Sequence, residues 1–455
     1  MLQRGSKLGR LLGLTLLVGS AAAAAEQRTL QESAAPGRVL RTDARLVVSG
    51  SLQTPVADGK AAALKLDVSG GLTWTERRLE AEGKDSERFR AVRRYKSASA
   101  RIQVADQVTR ASLREPLRLI VAQGIAEGVR PHSPLGPLTA DEVELLRTPA
   151  DPLFFPALLP DEPVDVDETW NPPSWLLPAL TGVEAVEKSS FKCRAARFDP
   201  GTTRVEFEGQ IRGGILGAAT AITVIGHYLF DDARQCITHC TWKQVEKRSA
   251  GAIAPAVDVV AELTVQRAPL EEGSGLDEDD LKGIPLDDEP GRLLLELPLP
   301  DLGVQLVHER RWHLFFQNER SCILRMMQQG ALIAQCNLNR LPAAEPGKHV
   351  SPEQFKKDIE SALGADFRKI VSDEELPTKD GRFVYRVLVE GVVTRTPTGG
   401  GDAQTLPMIW IYYLMAAPDG QQVVLLFSVE PLLLEKLQPH DLNLSGSLIF
   451  LPRKP

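Results

Sequence analysis

The sequence predicts an α+β protein in which an N-terminal antiparallel β-rich domain is followed by a smaller C-terminal α/β domain. Short runs that alternate apolar and polar residues recur along the chain, which is the pattern of strands with one buried face. Helical periodicity is confined to a few segments, and aromatic residues make up 5% of the composition. With 455 residues, the chain exceeds what one hydrophobic core usually holds, so two domains are expected.

The N-terminus has the three parts of a secretory signal peptide, which we place at residues 1–25. Arg4, Lys7 and Arg10 precede an apolar run at 11–18, and small residues follow at 21–25. That run is shorter than the roughly 20 residues that span a bilayer. We therefore expect an exported protein, periplasmic or secreted, without a transmembrane segment after signal removal. Loss of the three basic residues takes the formal net charge from −7 to −10.

A polar segment, 26–37, leads into the β-rich domain, 38–268, which we expect to form a curved sheet, half-barrel or barrel. Leu64, Leu66 and Val68 interleave with Lys65 and Asp67, which predicts a strand with one apolar face. Turn residues separate further runs of the same kind, so an antiparallel meander is predicted. These runs lie at 100–104, 118–122, 191–198, 204–211, 221–230, 235–245 and 257–265.

Two helices interrupt the strands of the first domain. Thr139 and Glu142 have the spacing of a capping box, in which each side chain satisfies a free N–H of the first helical turn. Pro149 would end that helix, and a second is predicted at 174–180. The segment 86–95 fits either a helix or a strand.

An acidic segment, 269–291, is predicted to link the two domains. Between Glu271 and Glu289 it holds nine acidic residues and one lysine, with glycines and a proline. Such a composition buries little apolar surface and is typical of a linker.

The C-terminal domain, 292–455, combines strands with one well-marked helix. Gln328–Gly330 is predicted to be a three-residue hairpin loop with glycine in the left-handed position. Ser351 would cap a helix that starts at Pro352, with Gln354 completing a capping box and Gly364 ending the helix. Strands are predicted at 304–307, 313–316, 321–327, 331–337, 383–393, 406–416, 422–429 and 447–451, and a short helix at 432–437.

This order resembles the PsbP/DcrB-like α/β sandwich family over about 150 of the 455 residues. The likeness is carried by the helix 351–363, by the strand 408–414 that ends at Asp419-Gly420, and by the ending 445–450. The resemblance implies a non-catalytic module that docks on other proteins or on an envelope assembly. The first domain looks like exported bacterial β-rich proteins of unassigned function. Residues 165–170 and 226–231 carry this resemblance. The curved sheet or half-barrel expected for this domain is an architecture that often holds apolar ligands.

The five cysteines permit disulfides. A three-residue loop at 328–330 would set Cys322 directly opposite Cys336, where a bridge is one possibility. A two-residue loop would instead put these two cysteines on opposite faces. Cys193, Cys236 and Cys240 are interpreted as core thiols or as a disulfide in which Cys193 is a partner.

Two histidine-containing patterns resemble zinc sites. Cys236, His239 and Cys240, with His227 nearby, have zinc-ligand chemistry, but strand parity turns His239 away from the two thiols. His308, Glu309 and His313 resemble a zinc protease motif. That motif requires two histidines four residues apart on a helix, whereas His308 and His313 are five residues apart. We therefore predict no metal and no cofactor.

Other chemical signals are weak. The stretch 77–118 carries twelve basic and six acidic residues, which we interpret as arginines such as Arg101 on the solvent face of strands. Phe89 and Tyr95 are too few for a base-stacking platform, so no nucleic acid is expected. The carboxylates of Asp165, Asp167 and Glu168 are interpreted as solvated, and the glycines 399–401 as a loop.

The sequence therefore predicts an exported, non-catalytic binding or scaffold protein of the bacterial envelope. Its partner would be an envelope protein or an apolar, lipid-like ligand. The alternative is a secreted hydrolase or a metal-binding enzyme. That alternative requires a cleft in which His227, His239 or His313 meets a carboxylate and a nucleophile.

Overall fold

A computed structural model describes residues 27–33, 35–55, 61–270, 274–378, 380–395 and 404–452. The predicted signal peptide and the glycines 399–401 lie outside these residues. The described chain is mostly antiparallel β-sheet, arranged in open sheets.

Twelve of the first thirteen strands form one large sheet. In space they run β6-β5-β3-β2-β1-β13-β12-β11-β10-β9-β8, with β4 also paired to β3, and the end strands β6 and β8 do not pair with each other. The sheet is therefore open along the part of the chain that is described. The strands are β1 (Val39–Pro55), β2 (Ala61–Arg78), β3 (Arg90–Val104), β4 (Gln107–Ser112), β5 (Leu119–Ile125), β6 (Gly128–His132), β7 (Leu138–Thr139, in a second sheet), β8 (Thr169–Trp170), β9 (Ala185–Asp199), β10 (Thr202–Ile215), β11 (Ala218–Asp231), β12 (Cys236–Arg248) and β13 (Ala256–Pro269).

Two short helices and a 3-10 segment pack on one face of this sheet, which we call the inner face. They are α1 (Ala140–Leu146), α2 (Leu176–Thr181) and the 3-10 segment Pro152–Leu158. The capping box predicted for α1 is confirmed, since Thr139 accepts a hydrogen bond from the Glu142 N–H and the Glu142 side chain accepts one from the Thr139 N–H. Phe154 and Phe155 are completely buried in the core between these elements and the sheet.

The polar segment and the acidic segment both pack on the first sheet. Leu30 is buried in the core, and Arg28 pairs with Val164 through backbone hydrogen bonds of 2.9 Å in each direction. The acidic segment, interpreted from the sequence as a linker, contains α3 (Glu278–Leu281). Its Leu276 is completely buried against Val92 and Leu119, so this segment covers part of the sheet.

A small sheet joins strands from both parts of the chain, in the order β23-β15-β14-β7. Its later members are β14 (Leu295–Leu299), β15 (Val304–His308) and β23 (Ile449–Phe450). The strand β7 from the first part runs parallel to β14, with Leu138 opposite Leu295.

A seven-stranded sheet forms the rest of the molecule, in the order β16-β17-β18-β22-β21-β20-β19. One face carries α4 (Pro352–Leu363), and the other face shares a core with the small sheet and with the helices α5 (Leu434–Leu437) and α6 (His440–Gly446). The strands are β16 (Trp312–Gln317), β17 (Ser321–Gln328), β18 (Ala331–Arg340), β19 (Phe367–Glu375), β20 (Phe383–Arg395), β21 (Gln404–Ala416) and β22 (Gln422–Val429).

Two local predictions for the second part need correction. Gln328 pairs with Ala331, so Gln329 and Gly330 form a two-residue turn, both with positive φ, instead of a three-residue loop. Gln354 donates its side-chain N–H to Asp358 at 2.7 Å, which leaves only the Ser351 half of the predicted capping box. Two strands of this part, β14 and β19, are absent from the strands predicted from the sequence.

Candidate ligand-binding face

The inner face of the first sheet remains apolar beyond the residues that its helices cover. The inward positions of β1 are Leu40, Thr42 and Ala44, all buried, followed by Leu46 at the margin of the core. Toward the C-terminal end of β1 the same face continues through Val48 and Leu52. Because side chains alternate between faces, this alternation extends the apolar surface past the core.

The pairing register arranges these side chains in three rows that cross the strands. Neighbouring residues within a row are directly opposite in adjacent strands, so their side chains lie on the same face. We call them the uncovered apolar rows. They are Val257–Leu52–Leu64, then Val259–Gly50–Leu66–Val104, and then Ala261–Val48–Val68–Ile102.

Most of these side chains are only half-buried. Val259 and Ala261 are buried, whereas Val48, Leu66 and Ile102 keep part of their surface exposed. The hydrophobic core clusters of the described residues include no member of the three rows. A contiguous apolar patch of this kind is typical of an interaction site, whereas isolated exposed apolar residues are ordinary.

Polar side chains from β12 border the rows on the β13 side. Arg248 lies opposite Val257 and Glu246 lies opposite Val259. The Nε of Arg248 is 3.2 Å from the Glu246 carboxylate, which also accepts a 3.2 Å hydrogen bond from the Gln244 side chain. The apolar surface therefore has one charged rim.

The outer face of the same sheet carries a groove of about 700 Å³ around Gly226. Gly226 is an inner-face position between Val224 and Tyr228, where a Cβ would lie 2.5 Å from the ring of the core residue Phe207, so glycine allows this ring to pack directly against β11. Most of the charged residues that line the groove pair with one another. Arg194 contacts Glu206 at 2.7 Å and Lys243 contacts Glu262 at 2.9 Å. The groove is therefore a polar, largely neutralised surface.

His227 lies in this groove, with His239 nearby on the same face. The two rings are 5.9 Å apart between centroids, and His227 Nδ1 shares a 2.8 Å hydrogen bond with the Thr241 hydroxyl. Burial and then the nearby Arg204 guanidinium lower the pKa of His227. Among the described residues no carboxylate is hydrogen-bonded to this ring; Glu206, which lies directly opposite His227 on β10, is paired with Arg194 at 2.7 Å.

Cys193, Cys236 and Cys240 are buried free thiols. Burial and then the neighbouring Cys240 raise the pKa of Cys193, and burial raises the pKa of Cys240 to about 12. Cys236 lies at the start of β12, where burial and then Glu32 raise its pKa. Raised thiol pKa values disfavour the thiolate that nucleophilic catalysis or metal binding requires.

Cys322 and Cys336 are not directly opposite each other, contrary to the prediction. A bulge between Met326 and Met327 adds one residue to the register, so Cys322 lies opposite Leu338 and Cys336 lies opposite Leu324. The two cysteines share the core face as diagonal neighbours, and both are free thiols. Diagonal residues are about 7–8 Å apart, beyond the reach of an unstrained disulfide.

The residues of the protease-like pattern are separated between two sheets. His308 ends β15 in the small sheet, and His313 lies in β16 of the seven-stranded sheet. Glu309 contacts Nδ1 of His440 at 2.8 Å and Arg311 at 2.7 Å. This arrangement ties α6 to the β15–β16 connection. Within the described chain, no group of three or more His, Cys, Asp or Glu side chains is placed to hold a metal ion.

The basic stretch 77–118 contains a buried charge network that the sequence pattern does not predict. Arg93 contacts Glu76 at 2.7 Å and binds both oxygens of Asp151, at 2.9 and 2.5 Å. Arg78 donates to the Leu153 carbonyl at 2.9 Å. Arg101 is exposed, as predicted. The interpretation as a solvent-facing basic surface therefore holds for Arg101 and is wrong for Arg78 and Arg93.

The polar loop 165–168 contacts its neighbours. Asp167 pairs with Arg194 at 2.5 Å, and Glu168 accepts a 2.8 Å hydrogen bond from the backbone N–H of Asp165. Asp165 accepts one from the Gln27 side chain at 3.2 Å. These acids hold the loop in place.

Over the described parts of the chain, the helices are all too short or too polar to cross a membrane.

No protein-family model matches this chain, and neither does a curated protein sequence. Among solved structures, a lipovitellin structure is 12% identical with a TM-score of 0.30, and the match covers 53% of this chain and 26% of that one. MucB in complex with MucA(peri) is 8% identical with a TM-score of 0.15, over 91% and 94% of the two chains. A loop-deletion mutant of OmpT, an outer membrane protein of Vibrio cholerae, is 9% identical with a TM-score of 0.13, over 87% and 99%. TM-scores this low establish no common fold.

Proposed function

We propose that this chain is an exported, non-catalytic binding protein whose first sheet holds an apolar ligand on the uncovered apolar rows. The observation that carries the proposal is the continuation of an apolar inner face beyond its own core. Apolar burial stabilises by about 25 cal/mol per Å². Covering several partly exposed valines and leucines would therefore supply several kcal/mol of binding free energy.

Export is supported by the basic and apolar pattern of residues 1–25. The absence of catalysis is supported by the paired charges of the outer groove and by the raised thiol pKa values. We also propose that residues 292–455 are a PsbP/DcrB-like docking module. The support is a sheet that carries α4 on one face and α5 and α6 on the other.

Adjacent residues of β1 provide a matched test of the ligand face. Val48 points to the uncovered apolar rows, whereas Val47 is 53% exposed and points to the outer face. We expect the protein to bind Nile red, a neutral apolar dye, and Val48→Asp to weaken that binding at least tenfold because a carboxylate in the rows is costly to desolvate. Val47→Asp should leave the affinity within about twofold.

Fluorescence titration measures these affinities, and thermal unfolding verifies that each variant is folded. Leu66→Asn, a neutral change in the middle row, should also weaken binding. A wild-type protein that does not bind the dye, or two valine variants with equal losses, would reject the ligand face.

Protein docking on the second part of the chain is supported by a separate observation. The edge strand β16 exposes three consecutive apolar residues, Leu314, Phe315 and Phe316, at 42%, 44% and 46% of their surface. No described strand pairs with its free side. An apolar open edge of this kind is a template for an added strand from a partner.

A further inference from the structure

The rim of the uncovered apolar rows contains a positively charged side chain whose donors are incompletely used. Arg248 lies on β12, directly opposite Val257, and its side chain is 23% exposed. Its Nε faces Glu246, and its two Nη nitrogens donate no hydrogen bond to any described residue. A guanidinium presents its Nη donors as a fork that matches the two oxygens of a carboxylate or phosphate.

Arg248 lies at the end of one of the uncovered apolar rows, so its Nη donors are next to the apolar surface. Arg248, Val257, Leu52 and Leu64 form one continuous line across β12, β13, β1 and β2. With Val104 of β3 in the next row, the surface spans four strand spacings, which is about 19 Å. A long acyl chain lying across the strands would fit this width, with its charged end at the β12 side.

We propose that the ligand is a single-chain amphiphile with an anionic head group, held at the head by Arg248 and along the chain by the uncovered apolar rows. This inference rests on the proposed function. It adds the charge of the ligand and the direction in which the ligand lies. A fatty acid carboxylate and a lipid phosphate share this chemistry, and oleate represents it in the test.

Glu246 opposes the binding of such a head group. On the inner face of β12, its carboxylate is next to Arg248 and competes with an incoming anion for the guanidinium. The other Glu246 oxygen accepts a 3.2 Å hydrogen bond from the Gln244 side chain. Removing the charge of Glu246 should therefore strengthen the binding of an anion, whereas removing that of Arg248 should weaken it.

The experiment compares oleate with oleyl alcohol, which has the same chain and no charge, by isothermal titration calorimetry below micelle-forming concentrations. Arg248→Gln should weaken oleate binding about tenfold, as expected for loss of a charge-assisted hydrogen bond, and leave the alcohol within about twofold. Lys247→Gln is the matched control. Lys247 is the next residue on the same strand, 71% exposed on the outer face, so the variant removes the same charge without touching the rim. Glu246→Gln should increase the oleate affinity.

Different results reject different parts of the proposal. If oleate and oleyl alcohol both fail to bind wild-type protein, the proposed function is rejected together with this inference. If both bind but Arg248→Gln weakens them equally, or affects oleate no more than Lys247→Gln does, the apolar face stands and the head-group site is rejected. Binding of inorganic phosphate alone, lost in Arg248→Gln, with no preference for oleate over the alcohol, would also reject an amphiphile.

Discussion

Buried charges in the first domain connect its sheet to segments that are distant in sequence. Arg93 on β3 contacts Asp151, which precedes the 3-10 segment, and Arg267 on β13 contacts Glu32 of the N-terminal segment at 2.5 Å. All four side chains are buried. Burial disfavours the charge of Glu76, but Arg78, Arg93 and Arg267 outweigh it and lower the pKa of Glu76 to about 2. Glu76 is therefore ionised at neutral pH.

We expect Arg93→Ala to destabilise the fold by about 3–5 kcal/mol, because it leaves Glu76 and Asp151 buried without their partner. Arg101→Ala is the control, since this exposed arginine lies on the same strand and should change the free energy of unfolding by less than about 0.5 kcal/mol. Urea unfolding measures both values. Equal losses in the two variants would show that the buried contacts do not carry this stability.

At the scale of single elements, local sequence signals predicted local structure well. Thr139 and Glu142 predicted the start of α1 because a capping box involves only residues within one turn. Gly364, with a φ of 51°, ends α4 as predicted. The register of Cys322 and Cys336 could not be predicted, because it depends on the bulge at Met326 and Met327. The strand β19 was missed because its polar sequence lacks alternation and the strand is held by its pairing with β20.

For the candidate ligand face, too, the sequence predicted the local strand pattern but not the contacts between distant elements. The alternation of Leu64, Leu66 and Val68 predicted a strand with one apolar face. Whether other elements cover that face depends on the length of the sheet relative to α1 and α2. That length is a property of the assembled fold, which the alternation within one strand does not determine.

The open edge of β16 leads to a prediction at the element scale. A photo-crosslinking amino acid at Phe316 should produce a discrete adduct with a protein of the native envelope fraction, because an added strand would pass within contact of this side chain. The matched position is Val371, 45% exposed on β19 at the opposite edge of the same sheet. Mass spectrometry identifies the adduct. Equal labelling from both positions, or none from Phe316, would contradict docking at this edge.

At the scale of the whole molecule, the two parts of the chain meet at several points. The strand β7 pairs with β14, and Arg310 donates hydrogen bonds to the carbonyls of Pro131 at 2.5 Å and Leu293 at 2.9 Å. The side chain of Arg325 donates to the Ala252 carbonyl, between β12 and β13. His132 lies beside Pro131 and is almost completely buried. Its two ring nitrogens have no hydrogen-bond partner among the described residues.

This junction should make the stability of the protein depend on pH. Burial, and then the Arg310 guanidinium, lower the pKa of His132 from 6.5 to about 4; Arg90 and Arg130 act in the same direction and Asp288 opposes them. Between pH 6.5 and about 4 the unfolded chain therefore binds a proton that the folded chain does not. As the pH is lowered through this window, the free energy of unfolding is expected to decrease by about 1.4 kcal/mol per pH unit for one histidine. Urea unfolding at several pH values should show a shallower slope in His132→Gln than in the wild-type protein. An unchanged slope in His132→Gln would assign the acid sensitivity to other groups, among them His313, whose pKa burial also lowers to about 4.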